Sequence, residues 1–418
     1  MTTDNVPILT HDPFDDAVLA DPTEFHEALR DAGQVVYLEK YGIWAMGRHA
    51  QVHAALQDWQ VFQSAAGVGL ANFRKEEPWR PPSLLLESDP PHHDAPRHVL
   101  ANVLSPRALR RLRSLWSQDA EELVAQVLSQ STAFDAAKAL AEPFPLRVFP
   151  DAVGLPPGGR ENLLPYGDHA FNAFGPTNRH VQKGAARVAE LGEWVGSRCR
   201  RDMLADQGFG AAIWAAADRG EITEQQAPLV VRSLLTAGVD TTVHAISAIL
   251  HCFATHPDQW QRLRADPSLV RTAFDEAIRL ESPVQTFFRT TTQPIRVGSV
   301  EIPADEKVLL FLGAANRDPR RWEEPNTFDL SRDPSGHMGF GMGIHQCVGQ
   351  HVARLEAEAI LNALIRRVQH LELNGEPVRH LNNTLHAWAS VPVRVELDHE
   401  GAQSTGSPTS LVTPAANP

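Results

Sequence analysis

Hydrophobic side chains recur at helical spacing over most of the chain, and runs with strand-like alternation are short. Helical patterns dominate to about residue 282, whereas residues 294–312 and the later segment LHAWASVPVRVEL favour strands. QVVYLEKYGIWAMGR contains two β-rich runs around Lys40, Tyr41 and Gly42, which predicts a hairpin. Regular alternation of strands and helices is absent, so a doubly wound sheet is not expected. The pattern predicts a mainly α protein with small β-sheets.

The most apolar long stretch predicts one buried helix over residues 223–256. A capping-box pattern opens it, and Pro257 ends it. The same stretch carries Arg232, Asp240 and His244, which argues against a membrane span.

Composition and charge narrow the possible functions. The 418 residues contain no evident repeat or long linker before residue 400, so one domain is predicted over 1–399 and a small, polar, disordered tail over 400–418. The net charge of −13 disfavours nucleic acid as the main partner. Three cysteines indicate no disulfide framework and a reducing compartment. The N-terminus lacks a basic region followed by an apolar run, so neither signal peptide nor anchor is predicted, and a cytoplasmic location is expected.

FGMGIHQCVG, residues 340–349, places Cys347 after a glycine-rich stretch and before an amphipathic helix. A helix N-terminus stabilises a thiolate, which is the form of cysteine that binds metal. Gly341, Gly343 and Gly349 would let the backbone approach a flat cofactor. A lone buried cysteine more often only packs, so the residue types alone leave both interpretations open.

AGVDTT, residues 237–242, lies within the long apolar helix pattern. Glycine and successive β-branched residues weaken a helix centre, so a local reason for them is expected. Asp240 and Thr241 add a carboxylate and a hydroxyl, and an acid beside an alcohol can relay protons into a closed pocket. The alternative is that Asp240 is solvated and the threonines merely pack.

The loop fills every specified position of F-G-x-G-x-H-x-C-x-G and so resembles the haem-binding loop of the cytochrome P450 family of haem-thiolate monooxygenases. The resemblance implies the P450 fold in a single haem-containing domain, haem b with the Cys347 thiolate as iron ligand, and O2 as co-substrate. Thiolate ligation favours O–O cleavage. A-G-x-D-T-T matches the family's oxygen-binding groove, which implies that Thr241 contacts dioxygen and that Asp240 links it to solvent.

The same resemblance assigns further residues. Those implied to bind haem, besides Cys347, are His93, Arg97, Arg289, His345, Phe340, Gly341 and Gly349. Asp94 and Ala95, between the first pair, depart from the commoner family pattern. The EAIR element matches E-x-x-R, so Glu276 and Arg279, joined by Arg332, are expected to be structural rather than catalytic. His92 and His93 have no further ligands at zinc-site spacing.

The segment PWRPPSLLLE, residues 78–87, indicates the chemical class of the substrate. Its prolines stiffen a loop that carries Arg80 and Ser83. An arginine in an apolar pocket is costly unless an anion completes it, which predicts a substrate with a carboxylate. Alternatively, Arg80 faces solvent.

Several segments are similar to a narrower bacterial group that oxidises para-substituted benzoates such as 4-methoxybenzoate. They are KEEPWRPPSLLLESDPP, FNAFGP, VRSLLTAGVDTTV, ESPVQTFFRTTT and FLGAANRDPRRW. The likeness implies O-demethylation to 4-hydroxybenzoate and formaldehyde. The substrate-binding residues it implies are Arg80, Ser83, Arg232, Ser233, Thr236, Phe171, Phe174, Val284 and Phe287. Thr236 stands where the group has a serine, and each phenylalanine could instead be core.

No flavin or nicotinamide module is visible, so electrons are expected from a [2Fe–2S] ferredoxin with an NADH-dependent reductase. A candidate basic docking patch contains Arg107, Arg110, Arg111 and Arg113, for which solvated surface charge is the equal alternative. Two other functions stay open. One is a haem-thiolate hydroxylase of a terpenoid or fatty acid, and the other is a non-enzymatic haem sensor that would need neither Asp240 nor Thr241.

Overall fold

The structure is a computed structural model that describes residues 6–78 and 80–398. The predicted tail, 400–418, lies outside these residues. The helices are α1 (Asp16–Ala20), α2 (Thr23–Ala32), α3 (His49–Gln57), α4 (Asp94–Val103), α5 (Pro106–Gln130), α6 (Pro143–Val153), α7 (Leu163–Asn172), α8 (Arg179–Ala185), α9 (Val188–Arg198), α10 (Phe209–Asp218), α11 (Ala227–Ala237), α12 (Asp240–Thr255), α13 (Pro257–Ala265), α14 (Val270–Glu281), α15 (Leu312–Asn316) and α16 (Gln350–Ile365).

The strands are short and form small sheets. They are β1 (Ile8–Leu9), β2 (Val36–Leu38), β3 (Ile43–Met46), β4 (Phe62–Gln63), β5 (Ala133–Asp135), β6 (Thr286–Thr291), β7 (Ile295–Val297), β8 (Val300–Ile302), β9 (Lys307–Phe311), β10 (Val368–Leu373), β11 (Val378–Leu381), β12 (His386–Ser390) and β13 (Pro392–Leu397). The largest sheet has the order β1-β2-β3-β9-β6-β4, and a second has the order β10-β13-β5. The prediction of a mainly α protein with small sheets is confirmed.

The predicted hairpin is also confirmed. β2 and β3 pair antiparallel, with Val36 opposite Ala45 and Leu38 opposite Ile43. Gly42 in the turn has φ 63°, a left-handed conformation that glycine adopts without steric cost.

The single helix predicted over 223–256 is wrong in one respect, because α11 ends at Ala237 and α12 begins at Asp240. The hydroxyl of Thr241 donates to the carbonyl of Ala237 at 2.7 Å, so side chains compete for backbone groups at this break. Gly238 fills a tight position, since a Cβ there would lie 2.4 Å from the ring of Phe149. The hydrophobic pattern predicted the buried face of both helices but not the break between them.

Residues 227–255 are long and apolar enough to cross a membrane by length and composition, and an 18-residue part of them has a mean hydropathy of 1.3. Inside the protein, 72% of the most apolar part of this stretch is buried. α12 packs against α14, α16 and β10. The stretch therefore behaves as a core element, which accounts for its apolar character.

Two hydrophobic clusters position the site. The larger joins α5, α6, α11, α12, α14 and α16 around fully buried Trp116, Phe149 and Phe253. A second lies between α3 and the largest sheet and includes Met46 and Leu310. The segment before α16 crosses from one cluster to the other, with Phe340 packed against the first and Met342 against the second.

Candidate haem and substrate site

A large cavity opens between the loop before α16, the α11–α12 junction, β6 and residues 80–86. Its volume is about 1690 Å³ with the solvent at its mouth included. The loop, the helix junction, the strand and residues 80–86 thus enclose one shared interior.

Cys347 lines this cavity just before α16. Its backbone N–H donates to the carbonyl of Phe340 at 2.7 Å, which closes the loop. Gly341 lines the cavity with φ +65°, and Gly349 lines it beside the Cys347 Sγ. The expectation for Gly343 is wrong: a Cβ there would lie 2.5 Å from the carbonyl oxygen of Leu56, so this glycine admits α3 rather than a cofactor.

Burial raises the pKa of the Cys347 thiol, although N–H groups of Gly349 and Gln350 and the charge of Arg97 act in the opposite direction. The helix N-terminus therefore does not by itself outweigh desolvation. A bound metal cation supplies the missing charge, since ligation deprotonates a thiol. The donor chemistry at this position fits a metal-bound thiolate.

Three of the four cationic residues expected near haem line the cavity: Arg97, Arg289 and His345. In the part of the chain that the structure describes, no carboxylate lies within 4.0 Å of either guanidinium group. Burial lowers the pKa of Arg97, and it lowers the pKa of Arg289 to about 10. Two guanidinium groups without a carboxylate in contact, in the same cavity as Cys347, match the anionic propionates of haem.

The two histidines of this group are placed differently. His345 contacts the carbonyl oxygen of Leu85 at 2.9 Å and Asp89 Oδ1 at 3.2 Å, so both ring nitrogens have protein partners. His93 is buried behind it with ring centroids 4.8 Å apart, and does not line the cavity. Its Nε2 has no hydrogen-bond partner within residues 6–78 and 80–398. The residues present therefore fit haem, with the arginines as the stronger anion partners.

The predicted acid and alcohol sit on different sides of the α12 N-terminus. Thr241 lines the cavity. Asp240 is only 4% exposed and does not line it. Its Oδ1 lies 3.1 Å from Nε2 of His244, one turn later on the same helix. The hydroxyl thus faces the cavity and the carboxylate faces His244, and the proton-relay role of the two residues stays a prediction.

The expectation that Arg80 lacks an anion in the protein is wrong. Arg80 lines the cavity, but its Nη1 lies 3.0 Å from Oε2 of Glu87 and 3.1 Å from the carbonyl oxygen of Pro81. Oε2 of Glu87 also accepts the N–H of Ser83 at 2.8 Å. The Ser83 hydroxyl accepts the N–H of Leu86 at 3.1 Å. The loop is therefore organised around its own ion pair.

Arg232, Ser233 and Thr236 line the same cavity from α11. Nη2 of Arg232 donates to the carbonyl of Pro81 at 2.8 Å, which joins α11 to the Arg80 loop. The hydroxyl of Ser233 donates to the carbonyl of Leu229 at 3.1 Å, and the hydroxyl of Thr236 donates to the backbone carbonyl of Arg232 at 2.8 Å. Both oxygens keep acceptor capacity, and no carboxylate of the described residues pairs with Arg232.

The expected aromatic slot is formed by residues from three parts of the chain. Phe171 and Phe174 meet edge to face with ring centroids 5.8 Å apart. Phe287 of β6 lies 6.0 Å from Phe174, and Val284 packs against the same cluster. All four line the cavity, so the same side chains pack against one another and also contact the interior of the cavity.

Glu276 and Arg279 form a fully buried pair away from the cavity. Nε and Nη2 of Arg279 lie 2.7 and 2.8 Å from the two oxygens of Glu276. Nε of Arg332 donates to Glu276 at 3.0 Å, and its other nitrogens reach the carbonyls of Glu323 and Glu324. These contacts tie α14 to the segment that precedes the Cys347 loop, as a structural role requires.

Sequence reasoning missed Glu87 and the contact between Asp240 and His244. Glu87 is the last residue of the predicted Arg80 loop, so an acid seven residues from the arginine was a usable signal. The i, i+4 spacing of Asp240 and His244 was another. The docking candidates Arg107, Arg110, Arg111 and Arg113 are all exposed on α5, and Arg113 pairs with Glu358 at 2.9 Å.

Comparison with known proteins shows the family to which the chain belongs. The cytochrome P450 family model matches residues 197–397. The chain is 52% identical over 390 residues to cytochrome P450 CYP199A2 of Rhodopseudomonas palustris, covering 93% of this chain and 95% of that protein. It is 32% identical over 392 residues to beta-dihydromenaquinone-9 omega-hydroxylase of Mycobacterium tuberculosis, covering 92% and 78%.

Solved structures show the same fold. Cytochrome P450 CREJ in complex with (4-ethylphenyl) dihydrogen phosphate superposes with a TM-score of 0.84 at 26% identity, covering 92% of this chain and 99% of that one. CYP109Q5 of Chondromyces apiculatus gives a TM-score of 0.77 at 28% identity, covering 94% and 99%. The chain therefore belongs to the cytochrome P450 family and is a haem-thiolate monooxygenase that uses haem b and dioxygen.

Proposed function

We propose that the protein oxidises para-substituted benzoates and removes the methyl group of 4-methoxybenzoate to give 4-hydroxybenzoate and formaldehyde. The observation that carries this proposal is that both Arg80 and Arg232 line a largely apolar cavity, which Cys347 and Thr241 also line. Two guanidinium groups in apolar surroundings favour an anionic ligand.

The charge balance explains why an anion is still attracted although Arg80 has a partner. Arg80 and Arg232 together form the anion clamp. Glu87 neutralises Arg80, so Arg232 contributes the net positive charge of this clamp. Burial lowers the pKa of Arg232, and the charge of Arg80 adds to that effect. A carboxylate bound between the two arginines offsets both contributions. The hydroxyls of Ser83, Ser233 and Thr236 supply neutral partners at the same wall.

The aromatic residues orient the ring of the substrate. Phe171, Phe174 and Phe287 supply edges and faces that suit a flat benzoate, and Val284 completes the wall. With the carboxylate held at the arginines, the para substituent is the part of the ring left to face the reactive centre. The orientation of the bound ring, and not the intrinsic reactivity of its substituents, therefore decides which position is oxidised.

The loop before α16 holds the cofactor. Cys347 is the iron ligand, with Phe340, Gly341 and Gly349 forming the wall beside it. Arg97 and Arg289 pair with the propionates, supported by His93 and His345. Bound haem supplies the activation of dioxygen, and thiolate ligation favours O–O cleavage.

Thr241 and Asp240 supply protons without opening the cavity to bulk water. The Thr241 hydroxyl is fixed by its bond to the carbonyl of Ala237 and faces the cavity. Asp240 is buried beside it and connects toward His244. Removing the Asp240 carboxylate slows proton delivery while leaving substrate binding intact.

The overall reaction consumes one dioxygen, two electrons and two protons. One oxygen atom enters the methyl C–H bond, and the other leaves as water. The resulting hemiacetal breaks the bond between the ether oxygen and the former methyl carbon, so that formaldehyde departs and the hydroxyl proton passes to the phenolic oxygen. P450 monooxygenases need a redox partner, and a [2Fe–2S] ferredoxin with an NADH-dependent reductase fits the cytoplasmic setting we infer. The exposed arginines of α5 form its docking patch.

The similar proteins support this assignment. CYP199A2 has 52% identity over nearly the whole chain. CREJ binds a para-substituted phenyl ring that carries an anionic group. The chemistry of the CREJ ligand is therefore compatible with the clamp and slot described above.

The proposal is tested by turnover with 4-methoxybenzoate, NADH, a bacterial [2Fe–2S] ferredoxin and its reductase. Formaldehyde and 4-hydroxybenzoate should form in equal amounts. The Arg80→Ala variant should lose affinity by about 10- to 150-fold, since a charge-assisted contact contributes about 1.5–3 kcal/mol. The Arg80→Ala/Glu87→Gln double variant controls for the carboxylate left unpaired. Unchanged benzoate affinity in both would refute the clamp.

A further inference from the structure

Asp240 faces a histidine rather than solvent. Nε2 of His244 lies 3.1 Å from Oδ1 of Asp240, and the two side chains are 9% and 5% exposed. The contact is short enough for an ion pair, but its angle is poor for a hydrogen bond: Asp240 Oδ2 and both His244 nitrogens have no hydrogen-bond partner in 6–78 and 80–398. Loose contacts of this kind are common at catalytic groups that tighten during reaction.

A second histidine continues from this pair toward the surface. The ring of His380, on β11, stacks on that of His244 with centroids 6.3 Å apart and an interplanar angle of 17°. Nε2 of His380 lies 2.6 Å from Oδ1 of Asp168 on α7. The side chains of His380 and Asp168 are 35% and 31% exposed, so this outer pair reaches water.

The surroundings are shaped around this arrangement. Gly167 of α7 leaves room for Asp240, because a Cβ at Gly167 would lie 2.9 Å from the Asp240 Cβ. Asn382 donates to Asp168 Oδ1 at 2.8 Å, which fixes the outer carboxylate. Three elements, α7, α12 and β11, therefore converge on a path from solvent to Asp240.

We propose that His244 and His380, held by Asp168, form the proton entry route that reloads Asp240 in each catalytic cycle. This inference rests on the proposed role of Asp240, but not on the identity of the substrate. His380 takes a proton from solvent and His244 passes one from Nε2 to Oδ1 of Asp240. Rotation of the His244 ring, or one bridging water, spans the gap between the two rings. One proton moves inward, and no electron is transferred.

The electrostatics agree with this order. The hydrogen bond to Asp168 raises the pKa of His380, with further support from the charges of Asp168 and Asp240, while burial opposes the rise. Burial acts to raise the pKa of Asp168, but His380 lowers it overall. The pKa of His380 is thus raised, whereas burial lowers the pKa of the neighbouring His169 and His180. The other charged or titratable groups around the route are His169, Lys183, His180, Arg179 and Asp16.

A purely structural role for His244 makes a different prediction. If the residue only positions Asp240, an amide that can donate a hydrogen bond will replace it. If it carries the proton, the amide will not. His244→Gln therefore separates the two roles, and His251→Gln is the matched control, because His251 lies on the same helix and stacks on Trp388 instead.

The first experiment measures coupling with 4-methoxybenzoate and the ferredoxin system. His244→Gln and His380→Gln should divert electrons to hydrogen peroxide, lower formaldehyde formed per NADH at least about fivefold, and raise the solvent deuterium isotope effect. His251→Gln should match the wild type in both. The high-spin shift caused by 4-methoxybenzoate should be the same in all four proteins. Wild-type coupling and isotope effect in His244→Gln, with Asp240→Asn impaired, would overturn the relay alone. An unimpaired Asp240→Asn variant would overturn the role of Asp240 and the relay with it.

The second experiment does not need turnover. In the diamagnetic ferrous carbon monoxide form of the holoenzyme, ¹⁵N-histidine NMR follows the titration of His380. Its midpoint should fall in both Asp168→Asn and Asp240→Asn, and should not move in His251→Gln. A midpoint unaffected by Asp240→Asn would show that His380 and Asp240 are not electrostatically coupled. This result would overturn the route even if 4-methoxybenzoate is not a substrate.

Discussion

Arg80 Nη1 lies 3.0 Å from Oε2 of Glu87, so the arginine expected to await a substrate carboxylate already has one within the protein. Glu87 is 3% exposed and also accepts the N–H of Ser83. The acid thus organises the loop and limits its net positive charge at the same time. The affinity for an anion is set by the balance between Glu87 on one side and Arg80 with Arg232 on the other.

Replacing Glu87 by glutamine should tighten benzoate binding. The amide oxygen of the glutamine still accepts the Ser83 N–H, but the side chain no longer repels a second carboxylate near Arg80. The dissociation constant for 4-methoxybenzoate should fall about tenfold, equivalent to about 1.4 kcal/mol, as measured by spectral titration. Neutral 4-methoxybenzamide is the control and should bind equally to both proteins. Weaker benzoate binding in Glu87→Gln would show that Glu87 acts only through loop order.

Replacing Cys347 by serine should abolish the thiolate-type absorption of the ferrous carbon monoxide complex. Serine lacks the soft thiolate that gives the haem this spectrum. Cys199→Ser is the matched control, because Cys199 is a buried thiol outside the cavity whose pKa is raised to about 12 by burial. Persistence of the spectrum in Cys347→Ser, or its loss in Cys199→Ser alone, would place the iron ligand elsewhere.

Replacing Arg279 by alanine should destabilise the protein severely. Both partners of the Glu276–Arg279 pair have 0% side-chain exposure, and removal of one partner from a buried pair costs about 3–5 kcal/mol. Arg113→Ala, which removes a pair with 63% exposure on the arginine side, should cost at most about 1 kcal/mol. Thermal unfolding of the two holoenzymes gives the comparison. Equal melting temperatures would refute the structural role of Glu276 and Arg279.

The pair His380–Asp168 should stabilise the protein over a defined pH range. Because the folded-state pKa of His380 is raised, its contribution is complete below the unfolded value of about 6.5 and is lost as the pH rises through the folded value. Because the pKa of Asp168 is lowered, its contribution is complete above about 3.9 and is lost as the pH falls through the folded value. The difference in melting temperature between wild type and His380→Gln should therefore be largest near pH 5–6 and shrink above pH 7. A difference independent of pH would mean that packing, not charge, is responsible.

The sequence allowed the fold class and the composition of the cavity to be predicted, because local motifs determine both. The Cys347 loop, the AGVDTT segment and the Arg80 loop each stand within a short stretch, and the structure brings their cavity-facing residues together. Their roles stay predictions. The glycine and β-branched residues of AGVDTT marked a weak helix centre, but the break itself was not predicted, and the close packing of Gly238 on the ring of Phe149 involves a residue far away in the sequence.

The connection from Asp240 to the surface could not be predicted for a similar reason. His244 and His380 are separated by 136 positions, and only the tertiary fold brings the two rings together. Neither residue belongs to a motif that identifies it. Contacts of this type arise from tertiary structure, whereas the loop before α16 carries its chemistry in consecutive residues.

The most direct test of the central claim is the spin state of the ferric holoenzyme during titration with 4-methoxybenzoate. The clamp predicts a saturable shift to high spin, a weaker response to 4-methoxybenzamide, and a loss of affinity of about 10- to 150-fold in Arg232→Ala. A terpenoid or fatty acid that shifts the spin state, with no response to 4-methoxybenzoate at millimolar concentration, would contradict the assignment of an aromatic carboxylate substrate.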